Sequence, residues 1–147
     1  MRAYASERGV ALVVRRFPAT TRTAQDAARE IGTTVERIVK SLVFVAGERA
    51  VVALCSGAAR VDETRLATVI GVPSVRRATA EEAKRWTGYA IGGVPPFAHA
   101  TECAVVCDRG LLAHDEVWAA SGLPDAVFPI APAELARISG GTVADIT

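Results

Sequence analysis

The chain has 147 residues, of which 50% are hydrophobic and 22% charged, and its 17 basic and 16 acidic residues leave a net charge of +1. This composition excludes an intrinsically disordered chain, and the length predicts a single domain over residues 1–147. A charge so close to zero argues against a long non-specific footprint on nucleic acid, so we expect no DNA partner.

The first half of the chain predicts a strand, a capped helix and a β-hairpin. Thr23 suits the N-cap of the helix and Gly32 its C-terminal end. β-branched and aromatic residues on both sides of a turn at Gly47–Arg49 are typical of paired strands. In chain order, the predicted elements are a strand at 11–16, the helix between Thr23 and Gly32, and strands at 38–46 and 50–55.

The second half mixes helices and strands without strict β-α-β alternation. Asp62 is a helix N-cap, Thr79 with Glu82 forms a capping box, and Pro132 suits a first helical position. In chain order, the predicted elements are helices at 62–71 and 79–86, a loop at 87–101, strands at 103–107, 117–120 and 126–130, and a helix at 132–138. We therefore expect an α+β domain with a mixed, mostly antiparallel sheet.

Several signals bear on the compartment. No apolar run approaches the roughly 20 residues of a membrane span, and the N-terminal residues form no apolar signal segment. The three cysteines are odd in number and contain no C-x-x-C pair, which favours a reducing compartment over a disulfide framework. We expect a soluble, cytoplasmic protein without a membrane partner.

Lys40 is the most informative residue of the predicted 38–46 strand. Fifteen of the 17 basic residues are arginine, and Lys40 shares one strand face with the apolar Leu42 and Phe44. A charge on an apolar face is costly unless it is paired. The residue could hold an anion such as a phosphate at the mouth of a pocket, or act as a base. The alternative is a lysine at a strand end, whose stem packs while its ammonium group reaches water.

The predicted loop contains a Gly-Gly step at Gly92–Gly93, followed by Pro95–Pro96. Glycine permits close approach of the backbone to a ligand, and such a loop can direct backbone N–H groups at an oxyanion or a phosphate. The alternative is a stiff connection between a helix and a strand, since Gly and Pro mark most loops.

Other motifs that carry chemistry are absent from the sequence. There is no glycine-rich nucleotide fingerprint and no nucleophile elbow of a serine hydrolase. The two histidines, His99 and His114, have no metal-ligand spacing, so we expect neither a metal nor a cofactor. Cys103 and Cys107 are expected in the core, and Cys55 lacks a histidine base at nucleophile spacing.

The chain contains three basic pairs, at Arg15–Arg16, Arg76–Arg77 and Lys84–Arg85. Each pair is typical of a solvated face. Together they could supply a few contacts to RNA phosphates.

Five pieces of the sequence occur in an order and spacing that resemble a known family. They are Thr23–Ala28, Ile38–Leu42, Thr87–Tyr89 with Gly92–Pro96, Asp108, and Ser121–Gly122 with Pro132–Leu135. Over about residues 11–138 the chain resembles the YbaK family, also called the aminoacyl-tRNA-synthetase-associated or prolyl-tRNA synthetase editing-domain family.

The resemblance implies a barrel-like mixed sheet flanked by helices and an activity that hydrolyses the ester bond of mischarged tRNA. The partner would be the 3′ end of an aminoacyl-tRNA, with an aminoacyl-tRNA synthetase left open as a protein partner. Lys40 would hold the terminal adenosine and its phosphate, and the loop would position the ester. The site residues that the resemblance implies are Lys40, Gly92, Gly93 and Pro96 for catalysis, and Phe17, Ser41, Val94, Ser121 and Gly122 for substrate binding.

The residues after Ser121–Gly122 depart from the family's cysteinyl-tRNA members, which carry a Gly-Gly-Lys-Arg-Gly stretch and an acidic residue there. Leu123–Val127 stands in that place, which argues against a cysteinyl specificity. The leading hypothesis is a trans-editing aminoacyl-tRNA deacylase for small amino acids such as alanine or serine on proline tRNA or a similar tRNA, with cysteine left open. The alternatives are a non-catalytic module that binds a tRNA end or a nucleotide, and a small-molecule hydrolase that uses the same pocket.

Overall fold

The structure is a computed structural model that describes residues 1–18 and 23–147. The helices are α1 (Arg2–Glu7), α2 (Ala24–Ile31), α3 (Glu63–Ile70), α4 (Ala80–Thr87) and α5 (Pro132–Ser139). The strands are β1 (Arg15–Arg16), β2 (Val39–Ala46), β3 (Arg49–Ser56), β4 (Arg76–Arg77), β5 (Ala104–Asp108), β6 (Val117–Ala120), β7 (Ala126–Ile130) and β8 (Thr142–Ala144). Two short 3-10 turns lie at Val35–Arg37 and Arg109–Ala113.

The described strands form two sheets, a larger one in the order β4-β2-β3-β5-β8 and a smaller one in the order β1-β7-β6. The pairs β3–β5 and β5–β8 are parallel, and the other pairs are antiparallel. The predicted α+β class with a mixed, mostly antiparallel arrangement is therefore confirmed. The two sheets meet at a parallel bridge between Ile38 and Trp118, and over the described residues they do not close into a complete barrel.

The larger sheet is packed on both faces, and its central strand β3 is buried along most of its length. Val52 and Leu54 face one core, whereas Val51 and Ala53 face a second core beneath α3. Strand β2 alternates in the same way, because side chains two residues apart share a face. Phe44 packs into the second core.

The predicted helix caps are confirmed. The side-chain oxygens of Thr23, Asp62 and Thr79 each accept a hydrogen bond from the backbone N–H three residues on. Thr79 and Glu82 form the full capping box, and the Arg76 guanidinium donates to both carboxylate oxygens of Glu82 at 2.8 Å. The hydrogen bonds from Arg76 lower the pKa of Glu82 to about 2. Strand β4 and helix α4 are thereby tied together.

Three elements lack a sequence signal, and one predicted strand is shorter than expected. Helix α1 has no side-chain cap, and its Tyr4 is held by a stacked contact with Phe97, at 5.3 Å between ring centroids. β4 and β8 have two and three residues, too few for a periodic pattern. The strand predicted at 11–16 is reduced to Arg15–Arg16, because β7 pairs with it only there.

Over residues 1–18 and 23–147, no helix has the length and apolar character needed to cross a bilayer. Within the same ranges, no cluster of three or more His, Cys, Asp or Glu side chains is arranged to hold a metal ion.

Asp108, at the end of β5, ties the C-terminal residues to the sheet. The residue is 3% exposed, and its carboxylate accepts hydrogen bonds from the Ile146 N–H at 3.1 Å and the Thr147 hydroxyl at 3.3 Å. The Gly110 N–H donates to the same carboxylate at 3.2 Å. Because Ile146 fills the second core and is fully buried, this carboxylate connects the chain end to the packing under α3.

Asp108→Ala is expected to destabilise the fold by about 1–3 kcal/mol, the usual cost of leaving a buried donor such as the Ile146 N–H without an acceptor. The matched control is Asp145→Ala, which removes an exposed ion pair with Arg109 and is expected to change stability by less than about 1 kcal/mol. Urea denaturation measures both values. Equal stabilities of the two variants would contradict the role given to Asp108.

Candidate functional site

The candidate site lies where strand pairing along one edge of β2 is interrupted. β4 covers only the C-terminal end of that edge, where the Val43 carbonyl accepts a hydrogen bond from the Ala78 N–H at 2.9 Å. At the other end, Ile38 bridges to Trp118 of β6. Among the described residues, no strand forms a ladder with residues 39–42 on this edge, although β6 lies nearby. An open length of β2 is therefore left between the two sheets.

A cavity of about 260 Å³ follows this open edge. Residues 38–43 form one wall, and the start of α2, the glycine loop, and parts of β4, β6 and β7 form the others. A space of this size can hold several waters or a small organic group. Mostly apolar walls with a few polar groups are typical of ligand sites.

Ser41 provides a polar group at the open edge. Its Oγ atom is buried and has no hydrogen-bond partner among the described residues. Because Val43 directs its carbonyl towards the β4 side, Ser41, two residues away, directs its own N–H and C=O to the same side. The strand therefore offers a hydroxyl and a peptide unit at one point of the cavity. Leaving buried polar groups without partners is costly, which is typical of a site that binds a ligand.

Lys40 lies at the same edge and is half-buried on the β2 face that carries Leu42 and Phe44, as predicted. Its Nζ donates a hydrogen bond to the Ala59 carbonyl at 2.5 Å. An ammonium group has three donors, so this bond fixes its position and leaves donors for a second acceptor. Both interpretations of Lys40, the anion-holding residue and the lysine whose ammonium group reaches water, stay predictions.

The glycine loop packs tightly against the segment that follows β6. A Cβ atom on Gly93 would lie 3.0–3.1 Å from the backbone of Leu123, and one on Gly122 would lie 2.9 Å from the Tyr89 ring. Gly93 also donates its N–H to the Ala90 carbonyl at 3.0 Å, so it is not a free donor for an oxyanion. Gly92 lines the cavity with φ +92°, and its N–H has no acceptor among the described residues.

The nine site residues expected from the resemblance fall into two groups. Four of them line the cavity, namely Lys40, Ser41, Gly92 and Val94. The other five are not among the described lining residues, namely Phe17, Gly93, Pro96, Ser121 and Gly122. Phe17 packs behind the wall in a core that includes Ile38, and Pro96 is buried. Of these five residues, Gly93 and Gly122 pack the loop against the segment after β6.

The structure adds lining residues that the sequence does not single out. Arg77, Trp118 and Pro124 line the cavity, together with Ile91 and Ala120. Arg77 belongs to a basic pair whose sequence is typical of a solvated face. Its neighbour Arg76 is instead paired with Glu82. The two arginines therefore have different surroundings, and these follow from the pairing of β4 with β2, which the sequence does not show.

The cysteines are removed from the cavity. Cys55 and Cys107 are fully buried, Cys103 is half-buried, and none is among the described lining residues. Burial raises the pKa of Cys55, and it raises the pKa of Cys107 to about 11. Burial raises the pKa of Cys103 as well. All three thiols stay protonated near neutral pH, which fits the expectation that they take no part in chemistry.

His99 anchors the loop from behind. Its Nε2 lies 2.7 Å from the Pro95 carbonyl, which can only accept a hydrogen bond, so Nε2 carries the hydrogen. Burial lowers the pKa of His99 below its ordinary value of 6.5, although the bond to Pro95 opposes this shift. The neutral ring therefore holds the Pro95 turn near neutral pH.

These features describe a small α+β domain with a cavity at an open sheet edge. The chain belongs to the aminoacyl-tRNA editing domain family, whose model matches residues 18–138. The resemblance drawn from the sequence is confirmed by this match.

Three relatives place the chain within this family. A solved structure described as that of "a putative trans-editing enzyme for prolyl tRNA synthetase" is 44% identical, with a TM-score of 0.93 over 99% of this chain and 93% of that one. The uncharacterized Bacillus subtilis protein YwhH is 31% identical over 86% of this chain and 80% of its own length. Proline--tRNA ligase of Stenotrophomonas maltophilia (strain R551-3) is 33% identical over 86% of this chain, which spans 23% of the ligase.

His99 predicts how stability depends on pH. The pKa of the folded-state imidazole lies below its ordinary value of 6.5, so the unfolded chain takes up a proton first as the pH falls. Stability from this residue is complete above about pH 6.5 and decreases below it. His99→Gln should remove this part of the pH dependence and keep an N–H donor for Pro95, whereas His99→Ala should remove both. Denaturation midpoints between pH 5 and 8 measure the effect, and an unchanged pH dependence in the Gln variant would contradict the assignment.

Proposed function

We propose that the protein is a trans-editing aminoacyl-tRNA deacylase, which hydrolyses the ester bond of a tRNA charged with the wrong amino acid. The observation that carries the proposal is the cavity at the open edge of β2, with Lys40, Ser41 and Gly92 around it, in a member of the editing-domain family. The similarity over nearly the full length of a structure described as a trans-editing enzyme supports action in trans.

The groups around the cavity suit the binding of an ester at the end of an RNA chain. The Lys40 ammonium, held by Ala59, can pair with the phosphate of the terminal adenosine. The Gly92 N–H and the Ser41 hydroxyl are donors that can stabilise the developing oxyanion. Positioned donors of this kind supply a large part of the acceleration in acyl transfer.

The proposed reaction adds water to the ester carbonyl carbon, breaks the bond from that carbon to the ribose oxygen, and transfers a proton to this oxygen. The products are the free amino acid and uncharged tRNA. No carboxylate, imidazole or thiol is among the described lining residues of the cavity. The proton is therefore proposed to pass through the substrate's own ribose hydroxyl or a second water.

The cavity favours small amino acids such as alanine or serine. The resemblance puts Ser121–Gly122 at the amino-acid pocket, but neither residue is among its described lining residues. Trp118, Pro124 and Ile91 line the cavity instead, and we propose that their bulk limits the space for an amino-acid side chain beside Gly92. Exclusion by size carries the proposed selectivity, because an apolar pocket distinguishes one methylene by only about 1–3 kcal/mol.

A non-catalytic module that binds a tRNA end is the second candidate. The observation that favours it is the absence of a general base among the described lining residues. Such a module would use Lys40 and Ser41 in the same way, so only the release of amino acid separates the two functions.

A panel of charged tRNAs tests the proposed function. With alanyl-, seryl-, cysteinyl- and prolyl-tRNA for proline at equal concentrations, we expect alanyl- or seryl-tRNA to be deacylated fastest, because the cavity is small. Release of radiolabelled amino acid in single-turnover reactions measures the rates. Fastest hydrolysis of the cysteinyl or prolyl ester would contradict the size argument. Binding without hydrolysis of any ester would establish the non-catalytic module.

Lys40→Ala tests the proposed anchor. Removing a charge-assisted contact costs roughly 1.5–3 kcal/mol, so kcat/KM for the best substrate should decrease about ten- to a hundredfold. The chain offers a matched control in Lys84→Ala, the only other lysine, which lies on α4 outside both cavities. Circular dichroism checks the fold. Equal activity of Lys40→Ala and Lys84→Ala would rule out the anchor.

A further inference from the structure

A second cavity of about 410 Å³ lies beside Lys40, between β2 and the segment that leads into α3. Lys40, Leu42 and Arg77 line both cavities, so the two spaces are neighbours around the open end of β2. The remaining wall includes Arg60 from the segment before α3 and Glu63 from its first turn. No role for this cavity follows from the ester chemistry, which is confined to the first one.

The second cavity concentrates positive charge. Lys40, Arg60 and Arg77 face one carboxylate, that of Glu63. Of the fourteen arginines in the described residues, nine bond to a carboxylate or a backbone carbonyl or form an ion pair. The other five have no such acceptor among those residues, and of these only Arg60 and Arg77 line the second cavity. Most of the described arginines are therefore used in the fold, and the two at this cavity are not.

Local contacts hold two of these cations, Lys40 and Arg77, at the cavity. The Arg77 guanidinium lies over the Phe44 ring, with its Cζ 5.5 Å from the ring centroid, which keeps it on the β2 face that carries Leu42 and Phe44. Arg60 follows Ala59, whose carbonyl is bonded to Lys40. Because Arg76 is paired with both carboxylate oxygens of Glu82, the β4 backbone that carries Arg77 is also fixed. These contacts position Lys40 and Arg77 before any ligand arrives, whereas Arg60 is exposed and is placed only by its neighbour Ala59 in the chain.

We propose that the second cavity binds the phosphodiester backbone of the nucleotides that precede the terminal adenosine, with Arg60 and Arg77 as its phosphate ligands. The inference rests on the proposed function. The RNA end would run from the first cavity past Lys40, which lines both cavities, into the second. Guanidinium groups bind phosphates through two parallel N–H donors, which suits a chain that must be held in one register. Glu63 limits the attraction and so restricts the site to a few phosphates.

Binding of two fluorescein-labelled probes tests the inference without requiring hydrolysis. One probe is a pentaribonucleotide ending in CCA, and the other is adenosine monophosphate. Arg60→Gln should weaken binding of the RNA about tenfold and leave binding of the mononucleotide unchanged, because Arg60 lines only the second cavity. It should also reduce the slope of log K against log salt by about 0.7 for each phosphate that Arg60 neutralises in the wild type. Glu63→Gln should tighten RNA binding.

Arg49→Gln is the matched control, since Arg49 also lacks an acceptor among the described residues and lines neither cavity. Its RNA affinity should equal that of the wild type. RNA affinity of Arg60→Gln equal to wild type, or wild-type RNA affinity no higher than its affinity for the mononucleotide, would overturn the inference. Arg60-dependent RNA binding in a protein that deacylates no charged tRNA would instead disprove the proposed deacylase and leave the second cavity as assigned.

Discussion

The whole site depends on one interruption in backbone pairing. β2 is paired along its full length with β3, but β4 and the bridge from Ile38 to Trp118 cover only the two ends of its other edge. An unpaired sheet edge exposes N–H and C=O groups that need partners. In this fold the open length is enclosed by α2, the glycine loop and the strands of the smaller sheet, so it becomes a cavity rather than a surface for aggregation.

The surrounding elements keep this gap rigid. β3 is buried on both faces and fixes β2, while the capping box of α4 and its ion pair with Arg76 fix β4. The glycine loop is held by His99 on one side and by its close packing against Leu123 on the other. The proposed deacylation relies on positioned donors rather than on reactive side chains, so it requires such support from the surrounding elements.

Local signals in the sequence predict the elements that are defined locally. The caps at Thr23, Asp62 and Thr79 and the β2–β3 hairpin follow from neighbouring residues, and the structure has them. β4 and β8 exist only because distant strands pair with them, and the parallel order β3-β5-β8 is a long-range property. Neither feature has a local pattern to detect.

The difference between local signals and long-range pairing also explains which site residues the sequence predicts. Lys40 stands out in the sequence because a charge on an apolar strand face is locally anomalous, and Gly92 stands out because glycine pairs mark special backbone. Arg77 and Trp118 reach the cavity through strand pairings that the sequence does not reveal. The glycines at 93 and 122 are packing residues, since both bring the loop and the β6–β7 segment into close contact.

The open edge of β2 is tested most directly by an NMR titration of the ¹⁵N-labelled protein with an adenosine monophosphate that carries alanine on its 3′ position through a stable amide. We expect the largest amide shift changes along the open edge and the loop, at Ser41, Val43 and Gly92, with smaller changes at Ala78. Shift changes concentrated elsewhere, for example around α5 and β8, with Ser41 and Gly92 unaffected, would contradict the claim that the open edge of β2 is the ligand site.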